Sequence, residues 1–85
     1  MYYVYVLLSE TDGLFYTGAA SDLKQRIHKH NEGQVPSTKD RRPLKLIYYE
    51  ACLSKSDAYR REKYLKTGMG KRYLRNRLKD TLEKL

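Results

Sequence analysis

Eighty-five residues with a formal net charge of +8 bound what this chain can be. A chain this short supports one small core, its single cysteine excludes an internal disulfide, and no apolar run reaches the roughly 20 residues of a membrane helix. The start, MYYVYVLLSETDG, has neither a basic leader nor a small-residue cleavage site, so a cytoplasmic protein of one domain over residues 1–85 is expected.

Residues 2–8, YYVYVLL, are short and rich in Tyr and Val and predict a strand. Alternation sends Tyr3, Tyr5 and Leu7 to one face and Tyr2, Val4, Val6 and Leu8 to the other. Asp12-Gly13 supplies a turn, and LFYTG then predicts a second strand, antiparallel to the first. Tyr5 and Tyr16 fall on neighbouring strands. Ser21-Asp22 opens a helix, with Gln25 as a capping-box partner, Leu23 and Ile27 as the inward stripe and Gly33 as the stop. Arg26 and His30 share one face of that helix.

A polar loop with Pro36 and Pro43 follows, and LKLIYYEAC, residues 44–52, predicts a third strand. In it Leu46, Tyr48 and Glu50 alternate with Ile47, Tyr49 and Ala51. Ser54 opens a second helix to about Thr67, in which Ala58, Glu62 and Leu65 share the inward stripe. A carboxylate is out of place there. Gly70 begins a last helix whose seam is Leu74, Leu78, Leu82 and Leu85, expected to be core of a monomer rather than a dimer contact. The fold class is therefore α+β, a small three-stranded antiparallel sheet flanked by helices.

The charge is uneven. Lys55, Arg60, Arg61, Lys63, Lys66, Lys71, Arg72, Arg75, Arg77 and Lys79 face only Asp57 and Glu62 in the same stretch. Such density attracts polyanions, and nucleic acid is the commonest. A membrane-surface helix is disfavoured, because the last helix lacks Trp and Phe. No zinc cluster exists, no serine is marked as a nucleophile, and no glycine-rich phosphate loop is present.

What remains is a set of phenols, an arginine, a histidine and the misplaced glutamate. Phosphodiester hydrolysis needs a water aligned or deprotonated, a cation for charge on the phosphate and commonly a divalent metal. Arg26 suits the second task and Glu62 the third, since Mg²⁺ often takes one carboxylate and keeps its waters. Tyr5, Tyr16 or His30 suits the first. Each also has a plainer reading: Arg26 as a surface cation, His30 as a helix-end cover, Glu62 paired with Lys66 or accepting from Tyr5.

Taken together, Tyr-Val-Tyr at 3–5, Tyr-Thr-Gly at 16–18, Arg26 in DLKQR and Glu62 in REKYLK after the third strand resemble the GIY-YIG endonuclease superfamily. The resemblance covers nearly the whole chain, most closely with small stand-alone members and more distantly with the nuclease domain of the repair excinucleases. It implies a metal-dependent DNA endonuclease with Mg²⁺ or Mn²⁺, possessing weak or structure-based specificity and a role in repair or processing. Tyr5 and Tyr16 would be the two family tyrosines, Arg26 the phosphate-binding arginine, Glu62 the metal carboxylate and His30 the histidine near the phosphate. Arg60, Lys63, Lys66, Lys71, Arg72, Arg75 and Asn76 would contact nucleic acid, DNA first and RNA as the alternative.

The sequence departs from the family pattern at Tyr3, at Thr17 and at Ala19-Ala20, where excinuclease relatives carry a lysine. The missing lysine calls for another activator, with His30 and the metal as candidates. The rival reading is a non-catalytic nucleic-acid-binding module or an accessory partner of a repair complex. A carboxylate among phosphates argues against it, being repulsive unless a metal intervenes.

Overall fold

The computed structural model describes residues 1–85 and runs β1 (Tyr2–Ser9), β2 (Phe15–Ala20), α1 (Leu23–Asn31), β3 (Leu44–Cys52), α2 (Lys55–Leu65), α3 (Gly68–Arg77) and α4 (Lys79–Glu83), with a 3₁₀ turn at Lys39–Arg41. The three strands form one antiparallel sheet in the order β2-β1-β3. The α+β expectation holds. β1 is central and covered on both faces, which explains why Val4, Tyr5, Val6 and Leu7 are all buried.

The two faces hold separate clusters. Val4 and Val6 pack with Ala58, Leu65, Leu74 and Leu78 under α2, α3 and α4, while Tyr5, Leu7 and Leu44 pack with Leu23 and Ile27 under α1. The alternation read along β3 breaks at a register shift opposite Val6/Leu7. As a result Ile47 and Tyr48 both join the α2–α4 side, and Leu46 joins the α1 side. An extra residue in one strand turns the side chains beyond it to the other face.

The caps set the helix limits. The Asp22 carboxylate accepts from the Gln25 N–H at 3.0 Å, and the Ser54 hydroxyl accepts from the Asp57 N–H at 3.3 Å. Thr67, expected to end α2, instead caps α3 by accepting from the Gly70 N–H at 3.1 Å, so α3 starts at Gly68. Gly70 lies against the α2 terminus: a Cβ there would strike the Tyr64 carbonyl and stand 2.5 Å from Leu65 Cα. The single last helix expected from the leucine seam is two. At Leu78 the backbone leaves helical angles (φ −109°, ψ 21°), and this bend keeps Leu82 on the core while Leu85 stays 53% exposed.

The long loop between α1 and β3 is tied down at both ends. Asn31 donates to the Leu44 carbonyl at 3.0 Å and accepts from the Leu44 N–H at 2.9 Å. The β1–β2 hairpin holds the loop's last residues: Ser9 donates to the Arg41 carbonyl at 2.6 Å, Arg41 pairs with Asp12 at 2.7 Å, and the Glu10 N–H reaches the Pro43 carbonyl at 2.9 Å. Arg41's hydrogen bond holds the Asp12 carboxyl down at about 2. On the far side of β3, burial pushes Glu50 up, but Arg61 and Tyr48 outweigh it and leave that carboxyl below its ordinary value.

Candidate active site

Tyr5 and Tyr16 leave adjacent strands on the α1 face, where Tyr5 is paired with Gly18 and Leu7 with Tyr16. Their ring centroids lie 6.5 Å apart, and the His30 ring closes a triangle at 5.7 Å from Tyr5 and 5.0 Å from Tyr16. Gly18 makes room for this. A Cβ at Gly18 would meet the Tyr5 hydroxyl and stand 2.6 Å from Tyr5 Cζ, so the phenol lies flat across β2 only because that residue is glycine.

The Tyr5 hydroxyl is 2.8 Å from His30 Nε2, and Arg26 Nε–H donates to the same oxygen at 3.4 Å. Arg26 and His30 are thus presented together by one face of α1. No carboxylate pairs with Arg26. The hydrogen bond to Tyr5 and the nearby Tyr16 phenol hold its guanidinium in the charged form. A guanidinium without an acidic partner, with only Nε committed, is free to take a phosphate on its terminal nitrogens.

Burial depresses His30 to about 4, with Arg26 adding to the effect, so the imidazole is neutral at pH 7. Burial likewise raises the Tyr5 phenol above its ordinary value, and the Arg26 hydrogen bond offsets part of that rise. Tyr5 is 1% exposed and His30 0%, whereas Tyr16 is only half-buried. The two tyrosines therefore differ: Tyr5 is built into the protein and Tyr16 borders solvent.

Glu62 sits on α2, with its side chain 18% exposed and Lys66 donating to it at 2.8 Å. The paired reading at i,i+4 is what the structure holds. The Glu62 charge also contributes, as the smallest cause, to the raised pKa of the Tyr5 phenol. No group of three or more His, Cys, Asp or Glu side chains gathers anywhere in the chain. A lone carboxylate oxygen donor fits Mg²⁺ or Mn²⁺ retaining most of its waters, and does not fit a protein-caged metal.

The basic residues scatter more than the sequence suggested. Arg26 lines a cavity of about 310 Å³ with Gln25, Lys29, Lys55 and Tyr59. Arg60 lines a different depression beside β3 and pairs with Asp57 at 3.3 Å. Lys71 and Arg75 border a third, under the hairpin turn, where Arg75 lies 5.8 Å from the Phe15 ring centroid. Lys63, Arg72 and Asn76 stand exposed on α2 and α3. Sequence reasoning missed Lys29, the steric role of Gly18, and Thr38, whose hydroxyl meets His30 Nδ1 at 2.8 Å from inside the loop. The Arg26/Lys29 spacing on α1 was the available signal for the first; nothing marked Thr38.

The GIY-YIG catalytic domain model matches residues 1–80. The chain belongs to the GIY-YIG family. GIY-YIG domains are nuclease domains, so the coarse activity and a DNA substrate follow from membership. This GIY-YIG chain is similar to UPF0213 proteins of Staphylococcus saprophyticus, at 46% identity over 78% of this chain and 80% of that one, and of Staphylococcus aureus, at 43% over 87% and 90%. It is also similar to the solution NMR structure of a UPF0213 protein from Bacillus halodurans, with a TM-score of 0.54 and 37% identity, covering 87% of this chain and 82% of that one. No helix of this GIY-YIG chain is long and apolar enough to cross a membrane.

Proposed function

We propose that this chain is a divalent-metal-dependent endonuclease that hydrolyses DNA phosphodiester bonds with weak or structure-based specificity, in DNA repair or processing. The observation that carries this reading is the cluster of Tyr5, Tyr16, His30 and an Arg26 that has no acidic partner. Arg26 binds the scissile phosphate and stabilises charge as it grows there. Tyr16, the solvent-bordering phenol, orients the attacking water, and the buried Tyr5 holds Arg26 in place. Glu62 would hold the ion, which when bound supplies Lewis-acid stabilisation of the phosphate and leaving oxygens. Lys29 and Lys55 guide the strand beside Arg26.

The test is purified protein with labelled single-stranded, duplex and flapped DNA, and matching RNA, in Mg²⁺, Mn²⁺ or chelator. Metal-dependent cutting is expected, with Glu62→Gln abolishing cleavage but retaining binding and Arg26→Ala losing roughly 10²-fold or more. Equal cleavage by wild type and Glu62→Gln would remove Glu62 from the site. A second reading, a binding module without catalysis, is favoured by one observation: Lys66 already occupies the Glu62 carboxylate. Salt-sensitive binding without cutting in any lane is its signature.

A further inference from the structure

Behind Tyr5 and His30 lies a third buried polar side chain. Thr38, 0% exposed, stands in the loop between α1 and β3, and its Oγ1 is 2.8 Å from His30 Nδ1 and 3.4 Å from the Val35 carbonyl. Tyr5, His30 and Thr38 thus form an unbroken line from the site into the protein. None of their polar atoms lacks a partner.

Two proton arrangements can be drawn on this line. In the first, Thr38 O–H donates to the Val35 carbonyl, His30 Nδ1–H donates to Thr38 Oγ1, and the Tyr5 phenol donates to His30 Nε2. In the second, Thr38 donates to Nδ1 and Nε2–H donates to Tyr5. Arg26 also donates to that oxygen and has no acceptor atom. The Tyr5 hydrogen would then be left without an acceptor among the partners of that oxygen, which is costly for a buried hydroxyl. The first arrangement satisfies every donor.

We propose that Thr38 is a positioning residue that fixes His30 in the Nδ1–H tautomer, so that Nε2 is the acceptor for the Tyr5 phenol. The consequence lies at the phenol oxygen. With its hydrogen turned inward, Tyr5 presents only lone pairs toward Arg26 and the reaction site. Arg26 is thereby seated, with its Nε–H donating to the Tyr5 oxygen. The placement of Thr38 at the far end gives the loop a part in the chemistry. The proposal rests on the nuclease reading for its purpose, while its structural content stands without it.

The test is two-bond ¹⁵N–¹H NMR of ¹⁵N-labelled protein at pH 7, with a His28→Gln variant assigning the two histidines. Wild-type His30 is expected as a single Nδ1–H tautomer. Thr38→Ser should keep it. Thr38→Val and Thr38→Ala should lose it to a mixture or to Nε2–H, with kcat falling roughly 10-fold or more at nearly constant KM and Thr38→Ser recovering it; an uncharged hydroxyl should matter less than the carboxylate that orients a triad histidine. An Nε2–H wild type overturns the proposal before any variant is made. So does an unaltered tautomer in folded Thr38→Val or Thr38→Ala, or an altered tautomer with unaltered kcat. If the tautomers behave as expected but wild type cuts nothing, the nuclease reading fails and the tautomer assignment remains.

Discussion

Val4 and Val6 leave β1 toward α2, α3 and α4, and Tyr5 and Leu7 leave it toward α1, yet the two layers they enter differ in material. On the first side, Ala58, Leu65, Leu74 and Leu78 close an apolar cluster, and the one buried polar side chain beside it is Thr17, opposite Val6 on β2. On the second, the most buried side chains include a phenol, an imidazole and a hydroxyl joined by hydrogen bonds. The apolar layer gains stability from area alone and tolerates shape-conserving change. The polar layer is worth having only while each member is satisfied, because a lost partner leaves a buried group unpaired. One sheet thus carries a largely apolar layer that holds the fold and a polar layer that holds Tyr5, His30 and Arg26, while Glu62 comes from α2 on the first side.

Leu74→Ala probes the apolar layer most severely. It should cost about 2–5 kcal/mol in urea unfolding while leaving the activity of the folded fraction intact; equal loss of specific activity would mean that the layers are not separate. The polar layer should respond to acid instead. His30 is held at about 4, below its unfolded value of 6.5, so the unfolded chain binds its proton first. Stability is then lost as pH falls from 6.5 through 4, by up to about 3 kcal/mol. Unfolding midpoints across that window should slope in wild type and flatten there in His30→Gln.

Gly18→Ala comes next, at about 1–3 kcal/mol, since the new methyl must displace the Tyr5 ring. Unlike Leu74→Ala it should also lower specific activity, and a variant that cuts normally would show that the ring position is unimportant. The smallest effect on stability belongs to Lys66→Ala, an exposed partner worth about 0–1 kcal/mol. Freed of Lys66, Glu62 should reach half-maximal activation at a lower Mn²⁺ concentration, read from cleavage titrations.

Much of this was legible in the sequence, for physical reasons that differ by element. The strands announced themselves through Tyr and Val, the helix starts through Asp22 and Ser54, and the shared face of Arg26 and His30 through the i,i+4 spacing. The failures lie where tertiary contact overrides local pattern. The leucine seam reads as one helix, but the backbone leaves helical angles at Leu78, and Leu82 still packs on the core. Thr67 reads as an end and is a beginning, because the cap it provides is decided by how closely Gly70 meets α2. Thr38 sits in a polar loop of ordinary composition, and its value comes from a histidine that only folding brings to it. The relative burial of Tyr5 and Tyr16 was hidden for the same reason, since both alternate onto one face and only the cover of α1 separates them.

A short hairpin turn at the surface is ordinarily where a protein accepts insertions without consequence. Here Ser9, Glu10 and Asp12 clasp Arg41 and Pro43, so the turn serves as the mould against which the loop bearing Thr38 is shaped. The two segments are then one part made from two pieces of chain. Lengthening the turn would alter a buried hydroxyl that no turn residue touches, and the freedom to vary that loops usually enjoy is withdrawn from both at once.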